Sequence, residues 1–208
     1  MSTKVKQEIL KCAKDFKYFA GKHLKIVDVH GLETTLKLNQ AQADIVEALE
    51  SENHLMILKA RKLGSTTLIA GYYLWKALFR KNIKNLPSHI KVRALNDRSN
   101  VLKLATGSMV KVGTASSESF RGQTYQYIHA SEYAFWPNLD KTIAGLFGTA
   151  DANATVILES TANGLNEAYE MWQSENGFTK MFMAWTIDAR YTRKKAVFKD
   201  LSKLEREY

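Results

Sequence analysis

Cysteine, proline and long apolar runs are the scarce features of this chain. Its single cysteine, Cys12, has no partner for an internal disulfide. A disulfide-stapled secreted scaffold is therefore excluded, and a reducing, intracellular setting fits. Only two prolines occur, Pro87 and Pro137, and no low-complexity tract or internal repeat is present. Proline-rich linkers and solenoid arrays are excluded with them. No apolar run is long enough to cross a bilayer. Residues 1–16, MSTKVKQEILKCAKDF, have no apolar signal core, so export is not expected.

What remains is ordinary globular material. The 208 residues suffice for one α/β domain with a sizeable core. Apolar residues make up 45% and charged residues 25%, which argues against disorder. The net charge of +9 suggests a polyanionic partner, nucleic acid or nucleotide, although plain solubility accounts for it equally well. The excess is spread over residues 4–25 and 80–98 and forms no single basic block.

Hydrophobic periodicity predicts an amphipathic helix over residues 4–18 and a short strand over 24–29. A second helix is expected over 38–49, with Asn39 as its N-cap. Residues 55–58, LMIL, read as a strand buried on both faces. They run into Lys59-Ala60-Arg61-Lys62-Leu63-Gly64-Ser65-Thr66-Thr67. Residues 68–79 follow as a helix apolar nearly all round. A hairpin is expected from 101–104 and 109–112, and strands over 125–130, 155–158 and 181–185. Residues 165–172 read as a helix after an Asn163-Gly164 turn. Polar groups stand at the ends of three of these apolar strands, where open α/β sheets place their sites.

Strand, glycine turn and buried helix in series form the skeleton of a phosphate-binding loop. The usual pattern, G-x-x-x-x-G-K-[ST], is met imperfectly: Lys59 stands for the first glycine and Ser65 for the lysine. A plain strand-to-helix turn at Gly64 is the competing reading. Gly64 permits close backbone approach, the helix N-terminus favours an anion, and Lys59, Arg61 and Lys62 supply displaced positive charge. Lys59 and Arg61 are expected on the phosphates, either of them replacing the usual lysine, and Thr66 on Mg²⁺ as its hydroxyl ligand. Lys62 reads equally well as a solvated cation. Glu132 follows the 125–130 strand, at the place where a motor ATPase holds the carboxylate that polarises the attacking water, although many surface strands end in such an acid. Ser131 occupies the neighbouring position, where a metal-orienting aspartate is usual. The hydroxyl and amide groups of Ser160, Thr161 and Asn163, with Gly164, are placed to sense a γ-phosphate, or form only a capped turn.

The strings LKARKLGSTTLIA, RG…YIHASEYAFWPN and ESTANGLNEAYEMW, with LNQAQ upstream, resemble in order the motifs of phage terminase large subunits. The resemblance covers about residues 20–200. It implies a three-layer P-loop NTPase fold, RecA/ASCE-like, with a mainly parallel sheet. A helical arm would occupy residues 1–24 and the ATPase domain 25–208. It implies ATP and Mg²⁺ as ligands, Gln42 as adenine contact, and Arg61, Lys62, Gly64, Ser65, Thr66 and Thr67 around the phosphates. Glu132 and Arg61 would be catalytic, and Ser131 would lie near the metal. Residues 160, 161, 163 and 164 would couple hydrolysis to movement. Arg121 would contact phosphate or a neighbouring segment.

The implied activity is translocation of double-stranded DNA into a procapsid, in host cytoplasm and away from any membrane. The partners would be a portal protein, a small terminase subunit and further copies in a homo-oligomeric ring. Two departures stand out. Residues 80–87 are short and polar where the family places another strand and helix, so one edge βα unit is expected to be missing, leaving the Glu132 strand at an edge or covered by residues 90–95. No acidic cluster of a nuclease domain follows, and the last residues, 205–208, read as helix. A truncated, inactive remnant that binds nucleotide, DNA or assembly partners without turnover is the alternative.

Overall fold

The computed structural model describes residues 2–28, 30–79, 94–98, 100–104, 107–115 and 120–188. In chain order its elements are α1 (Thr3–Lys14), α2 (Phe16–His23), β1 (Lys25–Val27), β2 (Glu33–Thr35), α3 (Gln40–Ser51), β3 (His54–Lys59) and α4 (Ser65–Phe79). There follow β4 (Ala94–Arg98), β5 (Val101–Leu104), β6 (Met109–Lys111), β7 (Tyr125–Ser131), α5 (Leu139–Phe147), β8 (Ala150–Ser160), α6 (Glu167–Gln173) and β9 (Thr179–Met183).

The frame is a four-stranded sheet in the order β7-β8-β3-β9, parallel at every pairing. Its central strands are apolar on both faces because helices cover both. Leu55, Ile57 and Ile157 point into a core shared with α1, α2, α3 and α4. Met56, Val156 and Leu158, one residue out of phase, point into a second core with Leu139 and Ile143 of α5 and Ala168 of α6. That period-2 division is what a strand buried on both sides requires. Among the described residues β7 pairs only with β8, so the strand that leads to Glu132 is an edge of the described sheet. The hairpin expected at residues 101–112 is present as β5 and β6, and β4 adds a third antiparallel strand.

Several boundaries differ from the sequence reading for identifiable reasons. The helix expected over 4–18 is two helices broken at Asp15, which ends α1 in extended conformation and caps α2 through a bond from the Tyr18 amide, 3.0 Å. The break swings Phe16 and Phe19 onto Tyr72, Trp75 and Phe79 of α4. The N-terminal segment thus shares the main core, and Trp75 Nε1 donates to the Cys12 carbonyl at 2.7 Å. Strand β8 reaches well before residue 155 because pairing with β7 starts at Tyr125↔Ala150. Helix α5 is absent from the sequence reading, although Leu139, Ile143, Leu146 and Phe147 recur at i, i+4, i+7 and i+8 and pack into the second core. The 165–172 helix begins only at Glu167, capped by Asn166, and Trp185 falls outside β9. Gly71 lets α4 lie close to Leu24: a Cβ there would stand 2.5 Å from Leu24 Cδ2, and that side chain would have to shift. The expectations for residues 80–87, 90–93 and 205–208 lie outside the described residues. No helix among the described residues is long and apolar enough to cross a membrane.

Candidate functional site

The C-terminal ends of β3, β7 and β8 meet at one edge of the parallel sheet, and the residues singled out in the sequence collect there. After Lys59 the chain makes a turn in which Lys62 (φ 60°) and Gly64 (φ 77°) both take the left-handed conformation. That conformation suits glycine, and at Gly64 a side chain is excluded twice, because a Cβ would lie 2.7 Å from Gln42 Nε2. The turn is latched to α3 by a reciprocal cap. Asn39 Oδ1 accepts from the Gln42 amide while Gln42 Oε1 accepts from the Asn39 amide. The same side chains reach across to the turn, Asn39 Nδ2 to the Leu63 carbonyl at 3.1 Å and Gln42 Nε2 to the Gly64 carbonyl at 3.0 Å. Gln42 is buried and its carboxamide is engaged at both ends. Ser65 opens α4 and is buried, whereas Arg61, Lys62, Thr66 and Thr67 are exposed.

Two carboxylates organise the rest. Glu159, inside β8 and wholly buried, accepts hydroxyl bonds from Ser65 at Oε2 and from Thr66 and Ser131 at Oε1. Lys59 Nζ lies 3.4 Å from its Oε2. His129 Nε2 lies 3.4 Å from Oε1 but without the alignment of a hydrogen bond. Burial by itself would raise the Glu159 pKa. The neighbouring His129, the Ser65 and Thr66 hydroxyls and the Lys59 charge more than offset it, and the carboxyl sits at about 2. Glu159 is therefore an anion inside the protein.

Glu132 is the second carboxylate and is half-exposed. Its Oε1 accepts from Lys59 Nζ at 2.8 Å; its Oε2 accepts from the Thr161 amide at 3.2 Å and hydroxyl at 3.3 Å, with Ser160 Oγ at 3.5 Å. Desolvation pushes its pKa up, while the Lys59 bond, the Thr161 amide and the Lys59 charge pull it down and win. The backbone at Glu132 has φ 53°, a strained conformation for a side chain with a Cβ. Such strain collects at functional sites when the surroundings hold it. Here they do: the Trp136 indole donates to the Ser131 carbonyl, and Asn163 and Asn166 both donate to the Ala134 carbonyl at 2.8 and 2.9 Å. Ser160 Oγ accepts from the Ala134 amide, and Gly164 turns the chain with φ 70°. Arg121 is exposed in the turn before β7, apart from these bonds.

Lys59, Ser65, Thr66, Ser131, Glu132, Ser160 and Thr161 thus form one connected network. Glu159 lies at its centre, and neither it nor His129 is among the residues singled out in the sequence. The signal for Glu159 was a charged residue directly after the apolar run Val156 to Leu158, at the height where strands open onto a site. Searched against models of known protein families, the sequence matches none.

Proposed function

We propose that this chain is the ATP-binding and hydrolysing motor domain of a viral terminase large subunit, a P-loop NTPase of RecA/ASCE-like type lacking one edge βα unit, which translocates double-stranded DNA into a procapsid. The observation that carries the reading is the meeting of a left-handed glycine turn, a helix N-terminus, a buried lysine and two carboxylates at the C-terminal edge of a parallel sheet. The ordered resemblance of the flanking segments to terminase motifs supplies the finer assignment.

In this reading the backbone after Lys59 and the N-terminus of α4 receive the phosphates of ATP. Lys59 and Arg61 neutralise their charge. The hydroxyls of Thr66 and Ser131, held by the buried Glu159 carboxylate, make a hard-oxygen donor set, which fits Mg²⁺ and does not fit a soft metal. Mg²⁺ when bound would draw charge from the β and γ oxygens. Glu132 orients the water that attacks the γ-phosphorus and takes its proton, a role that fits a half-exposed anion. Lys59 holds Glu132 in this structure, so an arriving γ-phosphate competes for the same ammonium and loosens the carboxylate. Ser160 and Thr161, bonded to Glu132 and to the Ala134 turn, carry that change toward the segment ending at Pro137. Gln42 reaches adenine only by giving up a bond to the turn. Double-stranded DNA, a portal protein, a small terminase subunit and further copies in a ring are the partners this function requires.

The test is ATP hydrolysis with and without double-stranded DNA. Glu132→Gln should bind ATP nearly as the parent does and hydrolyse it about 10²–10⁴-fold more slowly. An unchanged rate removes Glu132 from the mechanism. The Lys59–Glu132 ion pair, 2.8 Å, also favours a second reading, a remnant whose base is permanently held. Binding of ATP by the parent with no turnover under any DNA condition selects it.

A further inference from the structure

We propose that Glu159 takes over, from the neighbouring strand, the cation-side role of the carboxylate that Ser131 lacks, and that it makes ATP binding at this site dependent on a divalent cation. This rests on the ATPase reading above. Strands β7 and β8 run parallel with Ser131 and Glu159 in register, so a carboxylate on either strand ends at the same height of the sheet. Ser131 is short, and Glu159 Oε1 lies 2.9 Å from its hydroxyl, in the space a longer acidic side chain at 131 would reach into. The Thr66 hydroxyl donates to that same oxygen. The loop hydroxyl and the strand-end hydroxyl therefore converge on one buried anion.

The carboxylate is wholly buried beside Ile157 and Leu158, where a charge costs free energy that packing does not require. Glu159 is also distinct from Glu132. Glu132 faces Thr161 and the half-open side, whereas Glu159 faces the loop hydroxyls Ser65 and Thr66. The two acids divide the work, Glu132 toward water and Glu159 toward the cation. Glu159 is a positioning residue that acts through Thr66 and Ser131, holding oxygens in a geometry a hard cation can use.

The experiment is calorimetric titration of the whole chain with ATP, in Mg²⁺ and again in EDTA, with thermal midpoints as a control on folding. The parent should bind more tightly in Mg²⁺. Glu159→Gln should match the parent in EDTA and lose about 10-fold or more of affinity in Mg²⁺. Glu47→Gln, an exposed acid on α3, should keep the Mg²⁺ gain. Adding Ser131→Asp to Glu159→Gln should restore it by returning a carboxylate to the adjacent strand. Where Glu159→Gln does not fold, Glu159→Asp, which keeps the charge and withdraws it by one methylene, should bind normally in EDTA with a reduced Mg²⁺ gain. An unchanged Mg²⁺ gain overturns the proposal, as does an equal loss in Mg²⁺ and EDTA, which is the mark of a purely structural ion. A parent that binds no ATP in either condition overturns the ATPase reading itself, and this inference with it.

Discussion

At the scale of single residues, Glu159 ties ionisation to stability. Its pKa is about 2 in the folded protein against an ordinary 4.5. A group whose folded pKa is depressed contributes stability above its unfolded value and loses it as pH falls toward the folded one. The contribution is thus complete above pH 4.5 and is lost between 4.5 and about 2. Glu8 behaves alike: bonds from Lys22 and His23 lower its pKa to about 2, so the parent should be acid-sensitive at more than one place. Glu159→Gln should be less stable than the parent at pH 7, and the gap in thermal midpoint should narrow as pH is lowered from about 5 to 3. A gap constant across that range would mean that the carboxylate charge does not stabilise the fold.

At the scale of elements, the start of α3 is built as both cap and latch. The Asn39–Gln42 box satisfies amides of the first turn, and the same two side chains hold the Leu63 and Gly64 carbonyls. Loss of a cap costs about 1 kcal/mol, up to about 2 in favourable sites. Asn39→Ala should therefore lower unfolding stability in urea by about 1–2 kcal/mol. A loss no greater than that of Glu47→Ala, an exposed position on the same helix, would show that the cap carries no weight. Because the latch ends on the glycine turn, Asn39→Ala should also weaken ATP binding, which separates it from a distant destabilising change.

At the scale of the whole molecule, 30 basic against 21 acidic residues leave a net charge of +9. Inside the site Lys59 is paired with both carboxylates and adds no net positive charge there. If the surplus follows a DNA backbone, affinity for double-stranded DNA should fall steeply with salt and vary little with base sequence. Measured between about 50 and 200 mM salt, a protein with several phosphate contacts loses orders of magnitude in affinity. Binding unchanged over that range would remove DNA as the polyanion.

Local patterns were legible where one chemical preference dominates. The apolar run before Lys59 could only be a strand buried on both faces, and it is the centre of the parallel sheet. Asn39 was recognisable as a cap, and Gly64 as a turn glycine before a helix, because each depends on neighbours within a few residues. The break at Asp15 was not legible, because the pattern over residues 4–18 continues through it and only the aromatic cluster on α4 makes the second direction favourable. The sequence reading singled out Ser131 and Glu132 at the end of one strand. The register of β7 on β8 decided that Glu159 lies beside it, and the return of the chain after β3 brought Ser65 and Thr66 to the same carboxylate. Periodicity reports what a residue asks of its nearest neighbours. The hydroxyls that hold this buried charge come from 28 to 94 positions away, and only the folded sheet brings those together.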